Sequence, residues 1–104
     1  MSVEVCEVLG RYLARLVEGA KGNVVSFTVG DVSRWSEEKF RTTRSVTLRV
    51  AAVCEALLAQ GLLEKIGKKY ILRRGSQLWE AAARSDIEAV CDIVRRAVII
   101  AERT

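Results

Sequence analysis

The sequence contains no histidine, and the patterns that bring catalytic groups together are absent from it. It has no glycine-rich phosphate loop and no Gly-x-Ser-x-Gly turn around a nucleophilic serine. Carboxylates such as Glu88 and Asp92 lie near Arg95 in one helical pattern, which is ordinary surface spacing. We therefore predict that the protein is not an enzyme and needs no cofactor.

Thermolabile residues are scarce. The chain of 104 residues has one asparagine, two glutamines and one methionine. Such scarcity is a trend of thermophilic proteins, and it favours a thermophilic source. The complete absence of proline departs from the increase of loop proline that accompanies that trend.

Long apolar runs are also missing. The longest, "AVIIA" at Ala97–Ala101, is far too short to cross a bilayer. The first residues, "MSVEVCEVLG", have neither the basic start nor the apolar stretch of a secretory signal. The sequence predicts a cytoplasmic protein with no membrane partner.

Three cysteines, Cys6, Cys54 and Cys91, lie far apart, and no Cys-x-x-Cys pair is present. Zinc modules usually use close pairs, so we predict no metal site. Each cysteine falls within a helical apolar pattern, where a thiol packs as a small hydrophobic group. Packing in the core is the favoured interpretation. A disulfide, within one chain or between subunits, stays open as the alternative.

The positive charge is unevenly distributed. The net charge is +4 overall, but residues 34–74 hold ten lysines and arginines against four glutamates, giving +6. The remaining residues sum to −2. Such a distribution is typical of a protein that binds a polyanion. The alternative is a solvated basic face that has no partner.

The N-terminal half has helix and strand patterns. Apolar residues at helical spacing predict a helix over Val3–Gly19. "NVVSFT" at Asn23–Thr28 predicts a strand. Thr28 can cap a helix over Val29–Trp35, with Asp31 completing a capping box. Ser36–Arg44 is polar and is predicted to be a turn, with a short helical stretch around Glu37 to Phe40 as an alternative.

The central segment predicts a helix followed by a hairpin. Its apolar stripe runs through a helix over Thr43–Gln60, and Gly61 can end it. Alternating residues on both sides of Gly67-Lys68 predict an antiparallel hairpin. Trp35, Phe40 and Trp79 lie at core spacings, so core packing is favoured over stacking on bases.

The C-terminal segment has two helical patterns, with Ser76 and Ser85 as candidate caps. The apolar face of the second is wider than a small core needs, which suggests a homodimer. The predicted dimer interface is Ile87, Val90, Cys91, Val94, Val98 and Ala101.

The stretches "VAAVCEALLAQGLLEKIGKKYIL" and "FTVGDVSRW" resemble the winged-helix family of DNA-binding domains, over roughly Val5–Arg74. The first is similar to the end of a recognition helix followed by the wing. The likeness is to small transcription regulators of archaeal type. It implies an α+β, mostly α, winged helix-turn-helix domain at 1–75, with a small antiparallel sheet and a C-terminal helical extension, for dimerisation, at 76–104.

The resemblance also implies a DNA-binding site. The first turns of the recognition helix enter the major groove in such proteins, and the basic wing meets phosphates. Serine and threonine near the start of that helix can alternatively serve as caps. The predicted DNA-binding residues are Arg41, Thr43, Arg44, Ser45, Thr47, Leu48, Arg49, Lys65, Lys68, Lys69, Arg73 and Arg74.

Two functions follow as hypotheses. The first is a homodimeric transcriptional regulator that binds double-stranded DNA. The second is a winged-helix module that binds another protein in a replication, repair, transcription or chromatin complex. The basic central segment favours the first.

Overall fold

The computed structural model describes residues 4–41 and 44–103, except for the side chains of 44 and 45. Within these residues the chain is α+β and mostly helical, with one small antiparallel sheet, as predicted. The elements in order are α1 (Val5–Glu18), β1 (Val24–Phe27), α2 (Val29–Phe40), α3 (Arg44–Ala59), β2 (Glu64–Ile66), β3 (Lys69–Arg73), α4 (Gln77–Ala83) and α5 (Ile87–Glu102).

Helix α2 begins where the sequence predicts but ends later. Thr28 accepts a hydrogen bond from the Asp31 backbone N–H at 3.0 Å, and the Asp31 carboxylate accepts one from the Thr28 N–H at 3.0 Å. This reciprocal box satisfies two backbone donors that the first turn leaves free. The bond from the Thr28 N–H is the largest cause that lowers the pKa of Asp31.

The predicted turn at Ser36–Arg44 is wrong over 36–40, where α2 continues through Phe40, so the helical alternative around Glu37 to Phe40 is the correct one. Ser36 is buried, and its hydroxyl donates to the Ser33 carbonyl at 2.9 Å, so this polar residue fits a helix. The Phe40 ring packs edge-on against the Trp35 ring, with the ring centres 5.4 Å apart. The helix ends at Arg41, which has a left-handed φ of 52°. The connection from α2 to α3 therefore spans only 41–43.

The sheet has the strand order β1-β3-β2, and both pairings are antiparallel. Ile66 pairs with Lys69 across the predicted hairpin turn, where Gly67 has a φ of +60° that favours glycine. Phe27, Tyr70 and Leu72 are buried on the side of the sheet that faces the core. The predicted hairpin is confirmed.

Helices α4 and α5 pack on α1, and α5 also packs on α3, so both contribute to the same hydrophobic core. Ser76 caps α4 by accepting from the Trp79 N–H at 3.1 Å, as predicted. Trp79 is buried there. Asp86 rather than Ser85 caps α5, since its carboxylate accepts a hydrogen bond from the Ala89 N–H at 3.1 Å. Ser85 instead has a left-handed φ of 54°. No helix among the described residues has the length and apolar character needed to span a membrane.

Cys6 of α1 and Cys91 of α5 form a disulfide within the chain, with Cα atoms 5.0 Å apart. This corrects the favoured prediction, in which all three cysteines were free thiols in the core. Cys54 of α3 does match that prediction, since it is a free, buried thiol.

The packing of α5 also bears on the predicted dimer interface. Val90, Cys91 and Val94 are buried within the single chain, against α1 and α3, and offer almost no surface to a second copy. Ile87 and Val98 are partly buried, and Ala101 is exposed. The large apolar side chains that α5 does leave exposed are Ile99 and Ile100.

Candidate nucleic-acid interface

Helix α3 has one buried face and one exposed face. Val50 and Leu57 are fully buried, whereas Leu48 is 74% exposed. Arg49 and Ala52 are also exposed. An exposed face that mixes a large apolar side chain with an arginine can contact both the methyl groups and the acceptor atoms of base edges.

Thr47, another predicted DNA-binding residue, has a partner within the chain. Its hydroxyl lies within hydrogen-bonding contact of the Ser33 hydroxyl of α2. Both residues are partly buried. Thr47 therefore holds α2 and α3 together, and a base would have to compete for its hydroxyl. Thr43 lies outside the described residues, as do the side chains of Arg44 and Ser45.

Three of the five predicted hairpin cations have partners within the chain. Lys65 pairs with Glu55 at 3.4 Å, and Arg73 pairs with Glu64. Arg74 donates to the Gly22 carbonyl at 3.2 Å, and its guanidinium lies 5.1 Å from the centre of the Trp79 ring. Exposed ion pairs of this kind are weak, so a phosphate can replace either glutamate at little cost.

Four further predicted cations are exposed and have no ion pair among the residues the structure describes, whereas the side chain of Arg44 lies outside those residues. Lys68 and Lys69 lie at the tip of the hairpin, Arg49 lies on α3, and Arg41 ends α2. These four groups carry part of the uncompensated positive charge of the central segment, to which Lys39 and Arg74, also without an ion pair among the described residues, add. An uncompensated exposed cation is the kind of group that displaces counterions from a phosphate backbone.

Glu55 joins the hairpin to α3, and the sequence analysis assigned it no role. The Tyr70 hydroxyl donates to the Glu55 carboxylate at 2.6 Å, and the Lys65 ammonium lies 5.1 Å from the centre of the Tyr70 ring. The Tyr70 ring stacks on Phe27 at 5.8 Å. Because Tyr70 lies 15 residues from Glu55, no local sequence pattern could identify this contact.

The contact shifts both pKa values. The hydrogen bond from Tyr70 lowers the pKa of Glu55, and the ammonium of Lys65 adds to this shift. Burial is the main cause that raises the pKa of Tyr70, and the bond to Glu55 raises it further. The charged form of Glu55 is thus stabilised when the protein folds.

We expect Tyr70→Phe to lower the free energy of unfolding by about 1–2 kcal/mol at pH 7, since a hydrogen bond to a charged group is lost. The loss should shrink in acid. Because the pKa of Glu55 is lowered on folding, its stabilisation is present above the ordinary value of 4.5 and disappears as the pH falls through the folded value. Urea denaturation at pH 7 and pH 3 measures both effects. An equal loss at the two pH values would contradict the assignment.

Comparison of the chain with protein-family models, with curated proteins and with solved structures gave no match.

Proposed function

We propose that the protein binds double-stranded DNA as a winged-helix transcription regulator, with α3 as the recognition helix and the β2–β3 hairpin as the wing. The observation that carries the proposal is that the chain has two exposed surfaces of the kind that contact DNA. One is the Leu48 and Arg49 face of α3, and the other is the hairpin tip with Lys68 and Lys69. Glu55 joins the hairpin to the helix.

The order of the elements supports the winged-helix part of the proposal. A helix, a strand, two helices and a hairpin follow one another, and β1 completes the sheet beside β3. Only three residues, 41–43, separate α2 from α3, which is the number found between the two helices of simple helix-turn-helix proteins.

The dimensions of α3 suit a DNA groove. Its 16 residues give a length of about 24 Å at about 1.5 Å per residue. With side chains, a helix of about 10–12 Å diameter fits the major groove, which is about 12 Å wide. Arg49 would donate two hydrogen bonds to a guanine edge, and Leu48 would contact a thymine methyl group.

The hairpin would supply affinity rather than sequence preference. Lysines that meet phosphates fix the register of a protein on the duplex but carry no base information. Lys68 and Lys69 are exposed at the turn, so they can follow the backbone beside the helix.

The proposed homodimer needs an interface other than the predicted one, because three of those six side chains are buried in the chain. Ile99 and Ile100, 48% and 44% exposed, are the apolar groups of α5 that a second copy would cover. Two recognition helices would then contact half-sites related by two-fold symmetry.

The experiment is binding to a mixed-sequence duplex between 50 and 200 mM salt, with the parent protein beside Lys68→Ala/Lys69→Ala. We expect a steep fall of affinity with salt in the parent. Each lost phosphate contact reduces the slope of log K against log salt by about 0.9, so the double variant should lose about 1.8.

The matched control is Lys21→Ala/Arg84→Ala, which removes two exposed cations outside the proposed interface. It should leave the salt slope close to that of the parent. Equal slopes for both double variants would place the DNA elsewhere on the protein. A folded parent that fails to bind at low salt would overturn the proposal and favour the protein-binding alternative.

A further inference from the structure

Beside the exposed face of α3 lies an open groove of about 670 Å³, between α3, α5 and the start of α1. Its walls are mostly apolar: Val53 and Ala56 from α3 face Val94, Val98 and Ala101 from α5. This volume lies in the range of about 300–1,000 Å³ that is usual for sites of small molecules. The disulfide borders the groove through Cys6, so α1 and α5 are covalently joined beside it.

The charged residues that line the groove differ in whether they have an ion-pair partner. Arg95 bonds Glu4 at 3.3 Å and Asp92 at 3.6 Å, so these groups compensate one another. Arg49 also lines the groove, and it has no ion pair among the residues the structure describes. Glu102, in the last turn of α5, is the remaining charged lining residue.

Arg49 is a better binding site for a charged ligand than Glu102. It belongs to the segment of net charge +6, whose field attracts anions. Its guanidinium can hold a carboxylate by two parallel hydrogen bonds, a geometry that no other cation lining the groove is free to offer among the described residues. An apolar groove beside an uncompensated arginine complements a molecule with an apolar body and one anionic end.

We propose that this groove binds a small apolar carboxylate, with its carboxylate on Arg49 and its apolar body between α3 and α5. Such a ligand would also regulate DNA binding, a consequence that rests on the proposed function. Arg49 cannot hold a carboxylate and a guanine edge at the same time. Binding of the ligand should therefore weaken DNA binding, and DNA should weaken ligand binding by the same factor.

The first test measures ligand binding without DNA, by calorimetry, using decanoate, decanol and decyltrimethylammonium as probes. Decanoate should bind with the highest affinity of the three. Arg49→Gln should weaken decanoate binding about tenfold, since a charge-assisted hydrogen-bond pair is lost, and should leave decanol unchanged. Equal binding of the three probes, or tighter binding of the cationic one, would overturn the proposal.

The second test fixes the location with two matched alanine-to-tryptophan variants. Ala101→Trp places a large side chain in the groove, whereas Ala83→Trp places one at the exposed end of α4, at a residue that is not among those lining the groove. We expect at least a tenfold loss of decanoate affinity for the first variant and none for the second. Equal effects of both substitutions, or none from Ala101→Trp, would place decanoate elsewhere and overturn the proposal.

The third test separates this inference from the proposed function. Affinity for the duplex is measured with and without saturating decanoate, in the parent and in Ala101→Trp. We expect decanoate to weaken DNA binding in the parent and to have no effect in the variant. DNA binding that decanoate leaves unchanged would refute the regulation alone. Decanoate binding by a protein that does not bind DNA would refute the proposed function and leave the groove assignment standing.

Discussion

Replacing both Cys6 and Cys91 by alanine should lower the free energy of unfolding by about 4–5 kcal/mol, the largest effect we expect from any small change in this chain. The two residues are separated by 85 positions, so the bond closes a loop that includes most of the fold. A cross-link of this span removes much of the conformational entropy of the unfolded chain. Urea denaturation of the oxidised protein, the reduced protein and the double variant measures the effect.

Cys54 supplies the internal control for that experiment. It is fully buried, and burial raises the pKa of its thiol to about 12, so it should stay unreactive while the protein is folded. The folded oxidised protein should therefore show no titratable thiol. In denaturant it should show one, that of Cys54, and the reduced protein should show three. Equal stability of the oxidised and reduced forms would contradict the assignment of a stabilising bond.

The disulfide also bears on where the protein operates. Stable disulfides are rare in cytosolic proteins of mesophiles, whereas intracellular proteins of hyperthermophiles often contain them. The scarcity of asparagine, glutamine and methionine favours a thermophilic source on separate grounds. The disulfide therefore does not contradict the predicted cytoplasmic location, which stays a prediction.

The sequence could predict the elements whose signal is local. The apolar stripe of α3 and the alternation around Gly67 depend only on neighbouring residues, and both predictions are confirmed. The end of α2 was missed because a polar run ordinarily indicates a turn. In the folded chain the Ser36 hydroxyl bonds a backbone carbonyl and the Phe40 ring packs on Trp35, and both contacts stabilise the helix. Neither contact can be identified from the polar run itself.

Contacts between distant elements could not be predicted. Cys6 and Cys91 each fit a helical core pattern, and nothing in either pattern indicates that α1 and α5 meet there. For the candidate site, the sequence identified the cations but not the two glutamates that pair with Lys65 and Arg73. A residue count gives the charge of a segment, whereas the uncompensated charge depends on these pairings.

The second large effect that we expect is a difference in stability between alanine variants of two leucines in α3. Leu57 is fully buried, whereas Leu48 is 74% exposed. Leu57→Ala should lower the free energy of unfolding by about 3 kcal/mol, since it removes apolar contacts and leaves a cavity. Leu48→Ala should change it by less than about 0.5 kcal/mol, because an exposed side chain loses little on truncation. Urea denaturation of both variants provides the values.

The effects of the two substitutions on DNA affinity should be in the opposite order from their effects on stability. Folded Leu57→Ala keeps the outer face of α3 and should bind a duplex as the parent does. Leu48→Ala removes an apolar group that would contact a thymine methyl, so its affinity should fall and its sequence preference should relax. The salt slope should stay unchanged, since no phosphate contact is lost. Parent-like affinity and sequence preference in Leu48→Ala would show that this face of α3 does not contact the bases, whatever the hairpin lysines do.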